Sequence, residues 1–94
     1  MKLAAIRDEI DGIDKELLTL LEKRMELVNQ VTTYKKETRT PILDEGREKQ
    51  VLKKIAARVE NKDFQATLVN TFADIMKNSR DYQATQLDKL DSRK

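Results

Sequence analysis

Eight side chains in this sequence have types and spacings suited to chemistry: Arg7, Arg24 and Lys35, then Asp44, Arg47 and Glu48, then Ser79 and Gln83. At about 100° per residue, Arg24 lies in the middle of the arc defined by Ile6, Leu17 and Val31, and Lys35 follows Val31 by four positions on that arc. Two cations therefore occupy positions that should be apolar. Arg7 lies beside the same face, one turn after Leu3 and one before Ile10. Stepping back by threes and fours from Val51 and Leu52 reaches Glu48, Arg47 and Asp44, and stepping forward from Phe72 and Ile75 reaches Ser79 and Gln83. Singly, each has an ordinary structural explanation. A stripe cation can lay its stem on apolar surface and send its head to water. Asp44 suits a helix N-cap, Ser79 or Gln83 a packing hydrogen bond, and Arg47 with Glu48 a surface pair. Together they point elsewhere, because a desolvated cation is costly unless compensated and the stripe cations outnumber the nearby anions. A dianionic small molecule supplies the missing counter-charge, with Arg suited to bidentate carboxylate recognition and Lys to a point charge with three donors.

The missing residue types narrow the chemistry further. There is no His, the commonest general base and metal ligand, and no Cys to serve as nucleophile or disulfide. Any reaction here must use other groups, and neither a cofactor nor a metal is expected.

Helices must position these side chains. Two Gly, one Pro and four aromatics stand among recurrent Leu, Lys, Glu, Asp, Arg and Ala, a composition that favours helices over strands. The spacing predicts an all-α chain of three helices, one long and two shorter, over about residues 3–36, 44–60 and 63–91, as a single domain across 1–94. In the first, Ile6, Ile10, Ile13, Leu17, Leu20, Leu21, Leu27, Val28 and Val31 recur by threes and fours. Gly12 interrupts that run, yet a loss of roughly 1 kcal/mol relative to Ala should not break it. Pro41 biases Thr40 out of helical geometry and sets a loop near 37–43. Asp44 is placed to cap the second helix, whose stripe is Val51, Leu52, Ile55 and Val59. Asp63 is placed to cap the third, which carries Phe64, Leu68, Phe72, Ile75, Met76, Leu87 and Leu90.

The first helix is too long for its own globule. Some 34 residues give about 50 Å, whereas a compact chain of this size has a radius of gyration near ~12 Å and a diameter of about 30 Å. Its apolar stripe would be exposed over the overhang unless a second chain covered it, which predicts an intertwined six-helix homodimer. An isolated coiled-coil hairpin fits less well, for want of sustained heptads with matched flanking charges. Arg7, near the end that reaches into the partner, can then serve the partner's site. The net charge of +2, from 19 Lys and Arg against 17 Asp and Glu, and the lack of aromatics among the basic residues argue against a nucleic-acid surface. No apolar run approaches the roughly 20 residues of a membrane span and no signal peptide is evident, so a cytoplasmic protein with no membrane partner is expected.

These motifs closely resemble the all-helical class of chorismate mutases over nearly the whole chain. The matching stretches are AIRDEIDGID with Arg7, LLEKRMELV with Arg24, TTYKK with Lys35, PILDEGRE with Asp44, Arg47 and Glu48, and FADIMKNSRDYQ with Ser79 and Gln83. The resemblance implies an intertwined dimer with two equivalent sites, each completed by the partner's Arg7, and a monofunctional enzyme that rearranges chorismate to prephenate in aromatic amino acid biosynthesis. It implies that the partner's Arg7, Arg24 and Lys35 hold the two substrate carboxylates, assisted by Ser79 and Arg47, with the pairing of arginine to carboxylate left open. It also implies that Lys35 and Gln83 donate to the ether oxygen, that Glu48 accepts from the ring hydroxyl beside the backbone of Asp44, and that Val31, Leu52 and Met76 form apolar walls.

Two positions depart from that pattern. Leu43 stands where some members carry a further arginine, and Arg80 where others place an apolar wall residue, which makes the rim more cationic. Glu45 and Gly46 make a loose first turn for the second helix, which is expected to order on ligand binding. An isochorismate pyruvate-lyase resembles the same fold but lacks this acidic pattern at the second helix. A non-catalytic helical dimer would need no polar residues inside its stripes.

Overall fold

The 3.6-residue apolar period of the sequence becomes three helices in the computed structural model, which describes residues 2–92. These are α1 (Leu3–Thr38), α2 (Glu45–Arg58) and α3 (Gln65–Ser92), with a short 3-10 turn at Lys62–Phe64 leading into α3. There is no strand among the described residues. Leu90, placed by the sequence on the third apolar stripe, lies outside the described side chains.

Helix α1 runs unbroken through Gly12, where an added Cβ would meet nothing within 4 Å. It extends two residues beyond the expected end, to Thr38, whose hydroxyl donates to the Tyr34 carbonyl at 2.8 Å. Termination falls on Arg39, whose left-handed φ of 56° turns the chain so that the Thr40 amide donates to the Lys35 carbonyl at 2.9 Å. Asp44 caps α2 as expected, its Oδ1 accepting from the Arg47 amide at 3.0 Å.

The α2–α3 connection differs from the sequence expectation in two ways. Helix α2 stops at Arg58 rather than near Glu60, since Val59 is extended (φ −65°, ψ 118°). The cap of the next segment is Asn61 and not Asp63: the Asn61 Oδ1 accepts from the Asp63 amide at 3.0 Å, starting the 3-10 turn. The early stop frees the Ala56 carbonyl, and Lys62 Nζ (3.0 Å) and Gln65 Nε2 (2.8 Å) both donate to it.

Helix α3 is the spine: it packs against both α1 and α2, which do not pack on each other. On α1 the face that meets α3 is centred near Thr32, the most buried described side chain, whose hydroxyl donates to the Val28 carbonyl at 2.8 Å. Thr32 lies about 60° round the helix from Lys35, so the middle of the apolar stripe is left facing the space between α1 and α2. Tyr82 fastens α3 to α1 from the outside, its hydroxyl donating to Asn29 Oδ1 at 2.8 Å.

One chain buries little on its own. Met76 is the buried apolar side chain among the described residues, while Leu3, Ile10, Ile13, Leu17, Leu18 and Leu20 stand exposed on the first half of α1. The principal extents are 58 × 27 × 15 Å and the radius of gyration is 16.7 Å, well above the ~12 Å of a compact chain of this length.

Candidate functional site

Where α1 and α2 diverge across α3, a cleft of about 290 Å³ opens at the C-terminal half of α1. Its walls are Leu27, Val28 and Val31 from α1, Ile42 from the connecting loop, Val51 from α2 and Met76 from α3. Val31 and Met76 fall where the sequence placed them. Leu52 does not line the cleft; Val51, one residue and about 100° away on α2, takes that place.

Seven of the eight chemically suited residues line this one cleft: Arg24, Lys35, Asp44, Arg47, Glu48, Ser79 and Gln83. Arg24 is half-buried and its Nη1 donates to Ser79 Oγ at 2.7 Å. Ser79, buried, donates in turn to the Ile75 carbonyl one helical turn back at 2.9 Å, which fixes its rotamer. Lys35 donates through Nζ to the carbonyl of Ile42, so the loop is held to Lys35 at both ends, by this bond and by the Thr40 amide on the Lys35 carbonyl. An ammonium has three donors, and this bond uses one. Gln83 is 7% exposed and its Oε1 is buried without a hydrogen-bond partner among the described residues.

Arg7 is apart from these. It is exposed near the start of α1, 17 residues before Arg24 and so about 25 Å along the helix axis. Within one chain it does not reach the cleft.

Arg80 is the site residue whose partner sequence reasoning missed. It lines the cleft, and its Nη1 donates to Glu48 Oε1, joining α3 to α2. The sequence placed Arg80 at a cationic rim, but its partner lies 32 residues away and no spacing rule connects them. Counting Arg80, the cleft holds four cationic side chains and two carboxylates, Asp44 and Glu48. The excess is two positive charges, the complement of a dianion. Among the described residues neither Arg24 nor Lys35 is paired with a carboxylate: one is held by a hydroxyl and the other by a carbonyl. Both cations are oriented while their charge stays available to a ligand.

Such a site defines a class before it defines a family: an all-helical chain that gathers cations and an amide against apolar walls, with no His or Cys at hand. The family is fixed by sequence comparison. The family model described as chorismate mutase type II matches residues 6–84, and the chain belongs to that family. Among curated proteins it is similar to a T-protein of Enterobacter agglomerans, 47% identical over 51 residues that cover 54% of this chain and 14% of that protein. The bifunctional chorismate mutase/prephenate dehydratase of the same organism is 43% identical over 53 residues, 56% of this chain and 14% of that protein. A T-protein of Haemophilus influenzae is 37% identical over 67 residues, 71% of this chain and 18% of its own length. The chain thus spans less than a fifth of the length of these relatives. No solved structure gives a significant match. No helix among the described residues is long and apolar enough to cross a membrane.

Proposed function

We propose that this chain is a chorismate mutase, converting chorismate to prephenate in aromatic amino acid biosynthesis in the cytoplasm, without cofactor or metal. The observation that carries the reading is the cleft itself, where Arg24, Lys35 and Arg47 meet apolar walls and a buried, unsatisfied Gln83 with two positive charges in excess. Chorismate is a dianion with an ether oxygen and a ring hydroxyl, and its rearrangement is concerted. The ether carbon–oxygen bond breaks as the terminal carbon of the enolpyruvyl group bonds to the ring, with no proton, nucleophile or metal required. The protein's task is to hold a compact conformer that is unfavourable in water and to stabilise charge on the ether oxygen as the bond breaks.

In this reading Arg24, oriented by Ser79, and Lys35 take the substrate carboxylates with help from Arg47. Lys35 has donors left after Ile42 is satisfied, and one of these together with the Gln83 amide donates to the ether oxygen. The amide must then present its nitrogen, and no hydrogen bond to its oxygen opposes that orientation. Glu48 accepts from the ring hydroxyl beside the backbone of Asp44. The assembly is an intertwined homodimer in which the exposed first half of α1 crosses the partner and the partner's Arg7 closes each cleft. The bare Leu and Ile residues of α1 and the distance of Arg7 from its own cleft support that arrangement.

The test is direct. The chain is mixed with chorismate, the loss of its ultraviolet absorbance is followed, and products are assayed. Prephenate is expected; released pyruvate would point to lyase chemistry on the same fold, and unchanged chorismate would end the enzyme reading.

A further inference from the structure

Glu48 and Arg80 face each other from α2 and α3 at the cleft and join the two helices there. Both side chains are mostly sheltered, with 29% of Arg80 and 23% of Glu48 exposed. Their contact is single-pointed: one guanidinium nitrogen, Nη1, meets one carboxylate oxygen, Oε1. The second oxygen of Glu48 is not used by it. Among neighbouring charges, Asp44 is committed through Oδ1 to capping α2, and Arg47, adjacent in sequence, forms no ion pair with Glu48.

We propose that Arg80 is a positioning residue that acts through Glu48: it fixes the carboxylate between α2 and α3 by Oε1 and leaves Oε2 for a ligand hydroxyl. This rests on the chorismate mutase reading and adds to it a residue that the sequence assigned only to a cationic rim. Arg80 does not itself take a substrate carboxylate. Turning it toward one would strip a sheltered Glu48 of its partner, a costly step, whereas Arg24 and Lys35 already stand oriented with no carboxylate opposite them.

The experiment is a double-mutant cycle on the full chain, reading kcat and KM with chorismate for the wild type, Arg80→Met, Glu48→Gln and the double variant. Circular dichroism melting checks that each is folded. Arg80→Met is expected to lower kcat/KM by about tenfold in the wild-type background and less than about twofold with Glu48→Gln present, the non-additivity of residues that act as a unit. Arg80→Lys, which restores one donor and the charge, is expected to recover part of the loss, since the contact uses a single donor. Should Arg80→Met fail to fold, the same cycle is run with Arg80→Gln. An equal loss in both backgrounds overturns the proposal, because Arg80 would then touch substrate itself or merely support packing. A wild-type chain that leaves chorismate unchanged overturns the parent reading and this one with it. An active wild type with additive losses overturns this one alone.

Discussion

Arg24 reaches Ser79 across the α1–α3 interface, with Nη1 2.7 Å from Oγ, and Ser79 is itself locked by donating to Ile75 at 2.9 Å. A cation on one helix is thus aimed by a hydroxyl whose own proton is already spent on its helix backbone. Removing that hydroxyl frees the guanidinium without removing its charge. Ser79→Ala is expected to lower kcat/KM for chorismate by roughly tenfold, about 1.5 kcal/mol for a hydrogen bond to a charged group. The loss should fall mainly in KM, with helical content unchanged. Steady-state kinetics beside circular dichroism check this, and an unchanged KM would detach Ser79 from binding.

Lys35 and Gln83 differ in what else they hold, and the difference separates two variants that kinetics alone would not. Gln83→Ala removes an amide whose oxygen has no partner, so it should lower kcat by roughly 2.7 to 4 kcal/mol of transition-state stabilisation and leave the melting temperature unchanged or higher. Lys35→Ala should cost as much in rate and, in addition, release the Ile42 carbonyl. Amide hydrogen exchange over residues 39–43 should then quicken in Lys35→Ala and not in Gln83→Ala. Equal protection in both variants would mean that the ammonium does not hold the loop.

How far the sequence could be read depended on whether a feature was local. The helices followed from a 3.6-residue period, and the Asp44 cap from a carboxylate three residues before an amide it could reach. The other cap was misread because Asn61 and Asp63 are both good capping types. The choice between them turned on a 3-10 turn that closes onto Ala56 from the far side. Seven of the eight chosen side chains converge in one cleft, since each sits at a helical position that continues an apolar stripe. Details of helix tilt were beyond reach: Val51 in place of Leu52 is a rotation that no periodicity specifies, and Thr32 is buried because α1 meets α3 at the edge of its stripe. The Arg80–Glu48 contact joins two helices and depends on their docking.

Arg39 carries the one positive φ among the non-Gly described residues, 56°. For an L-residue that conformation costs roughly 1–2 kcal/mol, and Arg39 makes the helix-ending turn through its backbone, its amide approaching the carbonyls of Lys35 and Lys36. Arg39→Gly should therefore stabilise the fold by somewhat under ~1 kcal/mol, once the greater freedom of glycine in the unfolded chain is set against the relief. Urea unfolding measures it. Destabilisation would show that the Arg39 side chain contributes contacts of its own.

The excess of two positive charges lining the cleft makes it a place where a dianion should stabilise the native state. At one hundred times its Kd a ligand that binds only the folded form adds about 2.7 kcal/mol, enough to raise Tm by several degrees in a chain of this size. A stable dicarboxylate that mimics the compact conformer of chorismate is the probe. The shift should shrink in Arg24→Ala, which removes one of the two free cations. An unchanged melting temperature at millimolar probe would mean that the folded chain does not bind the dianion.

The first half of α1 gives the assembly its sharpest test. Leu3, Ile10, Ile13 and Leu17 are exposed on one side of the first half of α1, and among the described apolar residues only Met76 is buried. A lone chain so built lacks the buried area to offset its conformational entropy, which amounts to about 1–2 kcal/mol per residue for the backbone. Folding and association should therefore be one event. Sedimentation at low micromolar concentration is expected to give a single species of twice the chain mass, and dilution should lower the melting temperature. Replacing both Ile13 and Leu17 by Asp should yield an unfolded chain rather than a folded monomer. A folded monomer in either experiment would remove the partner's Arg7 from the cleft, leaving Arg24, Lys35, Arg47 and Arg80 as its only cations, and would require catalysis to proceed without the fifth.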